Sequence, residues 1–418
     1  MKQRTESKRT PAHHAGGKRH RMRETLLPFS TPAIGEEEIA EMAAAAGSGW
    51  ITTGPRTRAF EEAFAEFTGA AAALAVNSGT AAMQLALAAL GMGRGAVVIT
   101  TALTFCSGVH VIEQAGARHL LVDVEPGTLN VDPGRVEQAA RRLRPGERLA
   151  AIMPVHLYGH PCDRDALLDI ARKYRCALVE DAAHCLPGCY RGKRIGAGAD
   201  EDVPVLTAFS FYANKNLTTG EGGMLTGSPR LIEEARLWSL HGMSGDAWKR
   251  YEGRSASWFY EVVRPGFKHN MTDIQAAIGM VQLRKLTSFA IRRSEIARRY
   301  NEAFATVEEL QIPAHRPEVE HAWHVYALRL RLDRLTISRE EFIEALRSRN
   351  ISASVHFIPI HLHPWYRDTY GYKPDDFPVA HREYQRLGSL PIFPAMQDRD
   401  IQDVIDTVIG IVAENRKA

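Results

Sequence analysis

Phe209-Ser-Phe-Tyr-Ala-Asn-Lys215-Asn-Leu-Thr-Thr-Gly-Glu-Gly-Gly223 sets a single lysine between an apolar, strand-like run and a turn built from hydroxyl residues and glycines. A lysine amine is a nucleophile only when uncharged, and partial burial favours that form. Such a lysine can form a Schiff base with an aldehyde cofactor such as pyridoxal 5'-phosphate. Ser210 offers a hydroxyl for a phosphate, and the glycines from Gly220 to Gly223 let the backbone pass close to a bound ring. A lone lysine in a glycine-rich loop is more often a solvated side chain. Lys215 therefore depends on what the rest of the chain supplies.

Around that stretch, short apolar runs alternate with helical segments, the pattern of an α/β fold. Strands are expected at 71–76, 97–100, 119–122, 149–154, 177–179, 205–211 and 223–226, with helices at 81–90, 104–115 and 163–174. A long helix is expected over 273–305. Beyond it the pattern predicts a strand at 324–330, a helix at 338–347 opened by a Ser338/Glu341 capping box, a strand at 355–360 and a closing helix at 398–412. The organisation read from this is a disordered basic tail (1–24), a large domain (25–290) and a smaller α+β domain (291–418).

The formal net charge of +3 over 418 residues is unevenly placed. Residues 1–21 hold seven Lys/Arg against Glu6, so this segment carries +6 and the remainder −3. A mildly acidic body gives no case for nucleic-acid binding. The tail has almost no apolar residues, so disorder is expected, with Met22 as the functional start. It has no apolar middle region of a secretory signal, and no run of 18 apolar residues occurs. The five cysteines form no paired spacing for zinc or a disulfide framework, and reduced thiols in a cytoplasmic protein are the simple reading.

Other elements fall where a pyridoxal phosphate site needs them. Asn77-Ser-Gly-Thr-Ala81 joins a strand to a helix, where backbone N–H groups form an anion site, so Thr80 and Ala81 are candidates for a phosphate. The same residues also suit an ordinary helix cap. In Val179-Glu-Asp-Ala-Ala-His184, Asp181 stands at the carboxyl end of an apolar strand, the ligand side of an α/β sheet. A carboxylate there can pair with a pyridinium nitrogen, or simply cap the next helix. His184 can orient the ring. Phe105 can stack on it, or lie in the core. Gly266-Phe-Lys-His-Asn-Met-Thr-Asp273 is polar and precedes the long helix, and its spacing assigns it no role.

Together these segments resemble the DegT, DnrJ, EryC1 and StrS family of pyridoxal phosphate-dependent sugar aminotransferases, from about Pro28 to the C-terminus. The motifs include Gly49-Trp-Ile-Thr-Thr-Gly-Pro55, Asn77-Ser-Gly-Thr80, Val122-Asp-Val124, Thr128-Leu-Asn-Val-Asp132 and Glu180-Asp-Ala-Ala-His184. The Lys215 segment, His241-Gly-Met243, Asp273-Ile-Gln-Ala-Ala-Ile-Gly279 and Ser389-Leu-Pro-Ile-Phe-Pro394 follow in order. The resemblance implies the type I fold of these aminotransferases, with a large, mostly parallel mixed sheet and a smaller C-terminal α+β domain. It implies that Lys215 is the Schiff-base lysine and proton shuttle, that Asp181 meets the pyridine nitrogen, and that His184 meets the ring or its hydroxyl. Phe105 would stack on the ring, and Thr80, Ala81 and Ser210 would hold the phosphate. Asn270 would reach the phosphate of a neighbouring subunit, which implies a homodimer with shared active sites.

The segments 241–248 and 265–270 are similar to enzymes that aminate UDP-4-keto pentoses and hexoses, as in making 4-amino-4-deoxy-L-arabinose for lipid A. The implied reaction moves an amino group from L-glutamate to a nucleotide-linked keto sugar for cell-surface polysaccharide or lipopolysaccharide. Three rivals differ in chemistry. Dehydratases of this fold carry His where Lys215 stands, a non-catalytic regulator would lose Lys215 or Asp181, and an aminocyclitol aminotransferase would take glutamine. The chain departs from the family at His269, where Tyr is common, in a longer 198–207 segment, and at Cys185 and Cys189, all expected near the site. His356, His361 and His363 read as strand and loop residues rather than as a zinc site. Trp365 and Tyr366 are candidates for lining a sugar pocket.

Overall fold

The computed structural model describes residues 23–417 apart from 199, 201 and 244–259. Most of the basic tail and much of the 241–248 motif thus lie outside the described residues. Chain order begins with α1 (Glu36–Gly47) and α2 (Pro55–Thr68), then β1 (Ala72–Val76), α3 (Gly79–Ala89), β2 (Ala96–Thr101), α4 (Ser107–Gln114) and β3 (Arg118–Val122). There follow α5 (Pro133–Ala140), β4 (Arg148–Met153), α6 (Arg164–Tyr174), β5 (Ala177–Asp181) and the short β6 (Cys189–Tyr190) and β7 (Lys193–Arg194). β8 (Val205–Ser210), β9 (Gly223–Gly227), α7 (Pro229–Ser239) and the long α8 (Asp273–Phe304) come next. The remainder holds β10 (Leu310–Gln311), β11 (Val319–Glu320), β12 (Tyr326–Leu330), α9 (Arg339–Arg347), α10 (Pro364–Tyr370), α11 (Pro378–Arg386), β13 (Leu387–Leu390) and α12 (Asp398–Glu414).

Seven strands form one sheet in the order β1-β9-β8-β5-β4-β2-β3. β9 runs antiparallel to both its neighbours and every other pairing is parallel. β2, β5 and most of β8 are buried along their length, as expected of strands covered on both faces by crossover helices. α3 is rich in alanine, and its small side chains (Ala81, Ala82 and Ala86, all within 2% of full burial) seat it closely on the sheet. The parallel order brings the carboxyl ends of β1, β2, β5 and β8 to one edge, the usual ligand edge of such sheets.

A second core gathers Ile296, Tyr300 and Phe304 of α8, Tyr326, Leu328 and Leu330 of β12, Phe342 of α9 and Val404, Val408 and Ile411 of α12 around the three-stranded sheet β10-β12-β13. Leu27 belongs to this core and bridges Ile351. Arg23, assigned to the tail in the sequence, is instead tied down. Its Nη1 lies 2.8 Å from Asp400 and 2.6 Å from Asp403, and its carbonyl accepts from Asn350 Nδ2 at 2.8 Å.

The capping box opening α9 is present, with Ser338 Oγ accepting from the Glu341 N–H. The strand expected at 355–360 is absent. Only Ser354 bridges Ser389, and Ile360 already begins a short 3-10 turn whose N–H donates to Ala102 O at 2.8 Å. Pro359 has no N–H to extend a ladder. The segment crosses as a loop from one core to the ligand edge of the large sheet.

Candidate active site

β8 is apolar and buried until it reaches Ser210, which pairs in register with Gly223 of β9. The start of α3 presses onto this end of the two strands. A Cβ on Gly223 would lie 2.6 Å from the carbonyl carbon and oxygen of Ser78, and one on Gly79 would lie 2.9 Å from the Ser210 Cβ. Glycine alone permits that approach. Ser78 caps the helix, its hydroxyl accepting from the Ala81 N–H at 3.0 Å. The N–H groups of Gly79 and Thr80 have no acceptor among the described residues. They stand at the positive end of an 11-residue helix beside the Ser210 hydroxyl, an arrangement that suits an anion. The Ala81 N–H is engaged by Ser78, and Gly79, not singled out in the sequence, offers a free one.

After β8 the chain enters a tied loop. The Phe211 N–H donates to Gly222 O at 2.8 Å, the Thr219 N–H to Phe211 O at 3.0 Å and the Lys215 N–H to Tyr212 O at 2.9 Å. Asn216, Leu217, Thr218 and Thr219 are buried behind it. These bonds fix the backbone from which Lys215 projects, and its Nζ lies 3.4 Å from His324 Nε2. Burial pulls the Lys215 amine down to about 8, against the opposing charge of Asp181. About a tenth of this amine is uncharged at pH 7 and about half at pH 8, far more than of a solvated lysine.

Asp181 is the last residue of β5 and is paired in register with Ala208 on β8, two residues before Ser210. One carboxylate oxygen accepts from the Ala183 N–H at 3.0 Å, and the other has no donor among the described residues. Burial raises the Asp181 carboxyl, while the Ala183 N–H and Lys215 oppose it. Beside it, Glu180 accepts from Arg164 Nε at 2.6 Å and Nη2 at 3.1 Å, and from Thr207 Oγ1 at 2.9 Å. His156 Nε2 lies 3.3 Å from the same carboxylate. This buried network clamps the end of β5 and so the backbone of Asp181.

Four more rings close the group. His184 accepts the Tyr158 N–H on Nδ1 at 3.3 Å and lies 4.4 Å from the His324 ring. Its other neighbour is Phe357, whose ring stacks at 5.6 Å, and Phe105 lies 5.7 Å from Phe357 on the far side. His356 donates or accepts at Ser389 Oγ (2.9 Å), and its carbonyl accepts from the Tyr158 hydroxyl. Burial, aided by the charge of Lys215, takes His356 down to about 4 and holds His184 and His324 well below the usual histidine range. All three are neutral hydrogen-bonding groups at physiological pH.

Of the residues expected from the sequence, Lys215, Asp181, His184 and Ser210 gather at one edge with Thr80 and Phe105 on its rim. Thr80 and Phe105 are exposed, the latter by 54%. Asn270 does not join them within its own chain. It bridges Val76 on the outer side of β1, donates from Nδ2 to Thr53 Oγ1 at 2.6 Å and accepts from Lys268. His269 lies on that outer side too, against Gln84 of α3 at 2.8 Å. The longer 198–207 segment begins at the opposite end of β8, where Asp200 pairs with Arg172 in the last turn of α6 at 2.5 Å. Its proximity to the site was wrongly expected. Tyr366 is also misassigned, being 1% exposed and packed on His110 and His119. His324, His356, Phe357, Tyr158 and Gly79 were missed. A histidine opening an apolar strand, as His324 does before β12, was the available signal.

A buried amine, a buried carboxylate with a spare oxygen and helix-end N–H groups beside a hydroxyl fit a pyridine aldehyde carrying a phosphate. The unpartnered buried Oδ1 of Asn214 and Oγ1 of Thr104, in the same two loops, leave further polar atoms for a bound group. Fold and site together define a type I pyridoxal phosphate-dependent aminotransferase. The chain belongs to the DegT/DnrJ/EryC1/StrS aminotransferase family, whose model matches residues 32–409. It is 48% identical over 396 residues to the uncharacterized protein MJ1066 of Methanocaldococcus jannaschii, covering 94% of this chain and 100% of that one. It is 46% identical over 392 residues to the spore coat polysaccharide biosynthesis protein SpsC of Bacillus subtilis, covering 93% and 98%. Among solved structures, the putative sugar aminotransferase Spr1654 of Streptococcus pneumoniae in its PLP form superimposes with a TM-score of 0.83 at 32% identity, covering 93% of this chain and 99% of that one. The same protein is known in a PMP form. The chain described here is a sugar aminotransferase.

Proposed function

We propose that this enzyme transfers the amino group of L-glutamate to the keto carbon of a nucleotide-linked sugar, a UDP-4-keto sugar, for cell-surface polysaccharide. The observation that carries it is the meeting of Lys215 with Asp181, His184 and the open start of α3 at one sheet edge. The 46% identity to a spore coat polysaccharide protein supports the polysaccharide context. Pyridoxal phosphate, when bound, draws electrons from the substrate carbon and carries the amino group between two half-reactions. Gly79, Thr80 and Ser210 would hold its phosphate, Asp181 its pyridine nitrogen, and His184 and Phe105 its ring. Lys215 Nζ, half uncharged at about pH 8, takes a proton from the amino donor's α-carbon and later returns one, work worth about 10²–10⁴-fold in rate.

Asn270 is engaged by Val76, Thr53 and Lys268 beyond the edge strand β1 and has no contact with Lys215 of its own chain among the described residues, which supports its service to a second copy of the chain and a homodimer with shared sites. The same reading places the enzyme in the cytoplasm, with the large cofactor-binding domain at 25–290 and the small domain at 291–418. Among the described residues no helix is long and apolar enough to cross a membrane. The test is a panel of nucleotide-linked keto sugars offered to enzyme preloaded with glutamate. Turnover of a UDP-4-keto sugar supports the reading. Amination of free keto-cyclitols with glutamine as the better donor would replace it.

A further inference from the structure

Asn216 follows Lys215 in the chain and carries a buried side chain. Its Nδ2 donates to Leu186 O at 2.9 Å and to Ala322 O at 2.7 Å. Both amide N–H groups are thereby directed at carbonyls, and a flipped amide would set its oxygen against two carbonyl oxygens. The orientation is therefore fixed, and Asn216 Oδ1 faces His324 Nδ1 at 3.2 Å. An amide oxygen only accepts, so Nδ1 of His324 carries the ring proton. A neutral imidazole has one N–H, which leaves Nε2 bare. Nε2 is the atom 3.4 Å from Lys215 Nζ.

The surroundings keep that setting. His324 is 6% exposed, and Lys215, His184, Arg293 and His356 all face it, so that burial and positive neighbours disfavour a second ring proton. Arg293 of α8 fixes the backbone, donating from Nη1 to Trp323 O at 3.1 Å, His324 O at 3.4 Å and Ile392 O at 2.7 Å. Asp181 is the charged group that faces Lys215 from β5. His184 has the opposite tautomer, because its Nδ1 accepts the Tyr158 N–H and its proton must sit on Nε2. Two neutral histidines 4.4 Å apart thus present one acceptor and one donor.

We propose that His324 is a positioning residue for Lys215, holding Nζ by accepting a hydrogen bond from it, with Asn216 selecting the ring nitrogen that does so. This rests on Lys215 being the cofactor lysine. A lysine amine donates whether charged or neutral, so the hold persists when the amine becomes a nucleophile, with its lone pair turned away from His324. An apolar ring in place of His324 leaves Nζ without this acceptor.

The test follows capture of pyridoxal phosphate by the full-length, cofactor-free protein, read by absorbance across the neutral to alkaline range. Wild-type capture rises through a midpoint at about 8. In His324→Phe the midpoint falls by about one unit, since the charged amine loses an acceptor. The plateau rate above it falls about tenfold, because the neutral amine is no longer aimed. His324→Gln, whose side-chain oxygen takes the place of Nε2, restores both. A His324→Phe protein that melts as the wild type does and keeps the wild-type profile overturns the proposal. Neutron diffraction on the wild type decides without any variant: a deuteron on Nδ1 and none on Nε2 is expected, and one on Nε2 overturns it. Capture that survives Lys215→Ala would remove the underlying reading of Lys215, an outcome distinct from an unaltered His324→Phe.

Discussion

Glu180 and Asp181 are neighbours on β5 with their carboxylates committed to different partners, Glu180 to Arg164 at 2.6 and 3.1 Å and Asp181 to the Ala183 N–H and the charge of Lys215. The pleat turns successive side chains to opposite faces, so one acid holds the scaffold and the next serves the site. Glu180→Gln leaves Arg164 buried without its counter-charge and is expected to destabilise the fold by about 3–5 kcal/mol in denaturant unfolding. Burial alone would raise the Glu180 carboxyl, but Arg164 and His156 outweigh it and hold it well below the usual range. Such a depressed carboxyl contributes stability that is complete above its unfolded value and is lost as the pH falls through the folded one. The Glu180 contribution should therefore survive mild acid, and the gap between wild type and Glu180→Gln should close only in strong acid.

Lys215→Ala is expected to abolish the imine absorbance and to lower turnover by about 10²–10⁴-fold, with the melting temperature near that of the wild type. Added small amines should restore part of the rate. Retained absorbance in that variant would exclude Lys215 as the cofactor lysine.

Gly223→Ala puts a methyl group 2.6 Å from backbone atoms of Ser78, and backbone cannot step aside as a flexible side chain can. The start of α3 must lift from β8 and β9, at about 1–3 kcal/mol. The expected signature is weakened cofactor binding, measured by equilibrium dialysis, out of proportion to the loss of stability.

Asp273 accepts from the N–H groups of Gly54 at 2.8 Å, Arg56 at 3.1 Å and Thr57 at 3.0 Å, and from Thr57 Oγ1 at 2.7 Å. It caps α2, whose own N-cap residue is a glycine without a side chain. Asp273→Ala should destabilise the protein by about 2–4 kcal/mol, more than an ordinary lost cap, because several buried donors lose one charged acceptor together. Calorimetry would measure it, and Asp273→Asn should recover part of the loss.

The parts of the site carried on strand ends were legible. Lys215, Ser210 and Asp181 each follow an apolar run, and the turn after it announces them. His324, His356 and Phe357 were not, because they come from chain segments more than 100 residues beyond Lys215, and local pattern carries no information about which loop crosses to which edge. The anion cradle was half legible. Asn77-Ser-Gly-Thr-Ala81 showed that N–H groups would be present, but which one Ser78 takes for its own cap is a matter of rotamer and not of residue type. The 355–360 segment misled because its valine, phenylalanine and isoleucines look like a strand, while Pro359 prevents one. α2 went unread although Pro55 at its start, Phe60 and Phe64 four apart and Gly69 at its end are ordinary helix signals.

The cap on α2 also bears on how the chain is made. Asp273 lies 216 residues beyond Thr57, so on a ribosome adding about 5–20 residues per second α2 waits on the order of ten to forty seconds for its acceptor. Phe60 and Phe64 wait with it, since Ala276, Leu283 and Leu286 of α8 form the other side of their cluster, and Gly279 is the position against which the Phe60 ring closes. A nascent chain halted before residue 273 would leave that aromatic pair packed on Phe209 and Phe211, with the face that the long helix covers still open to water.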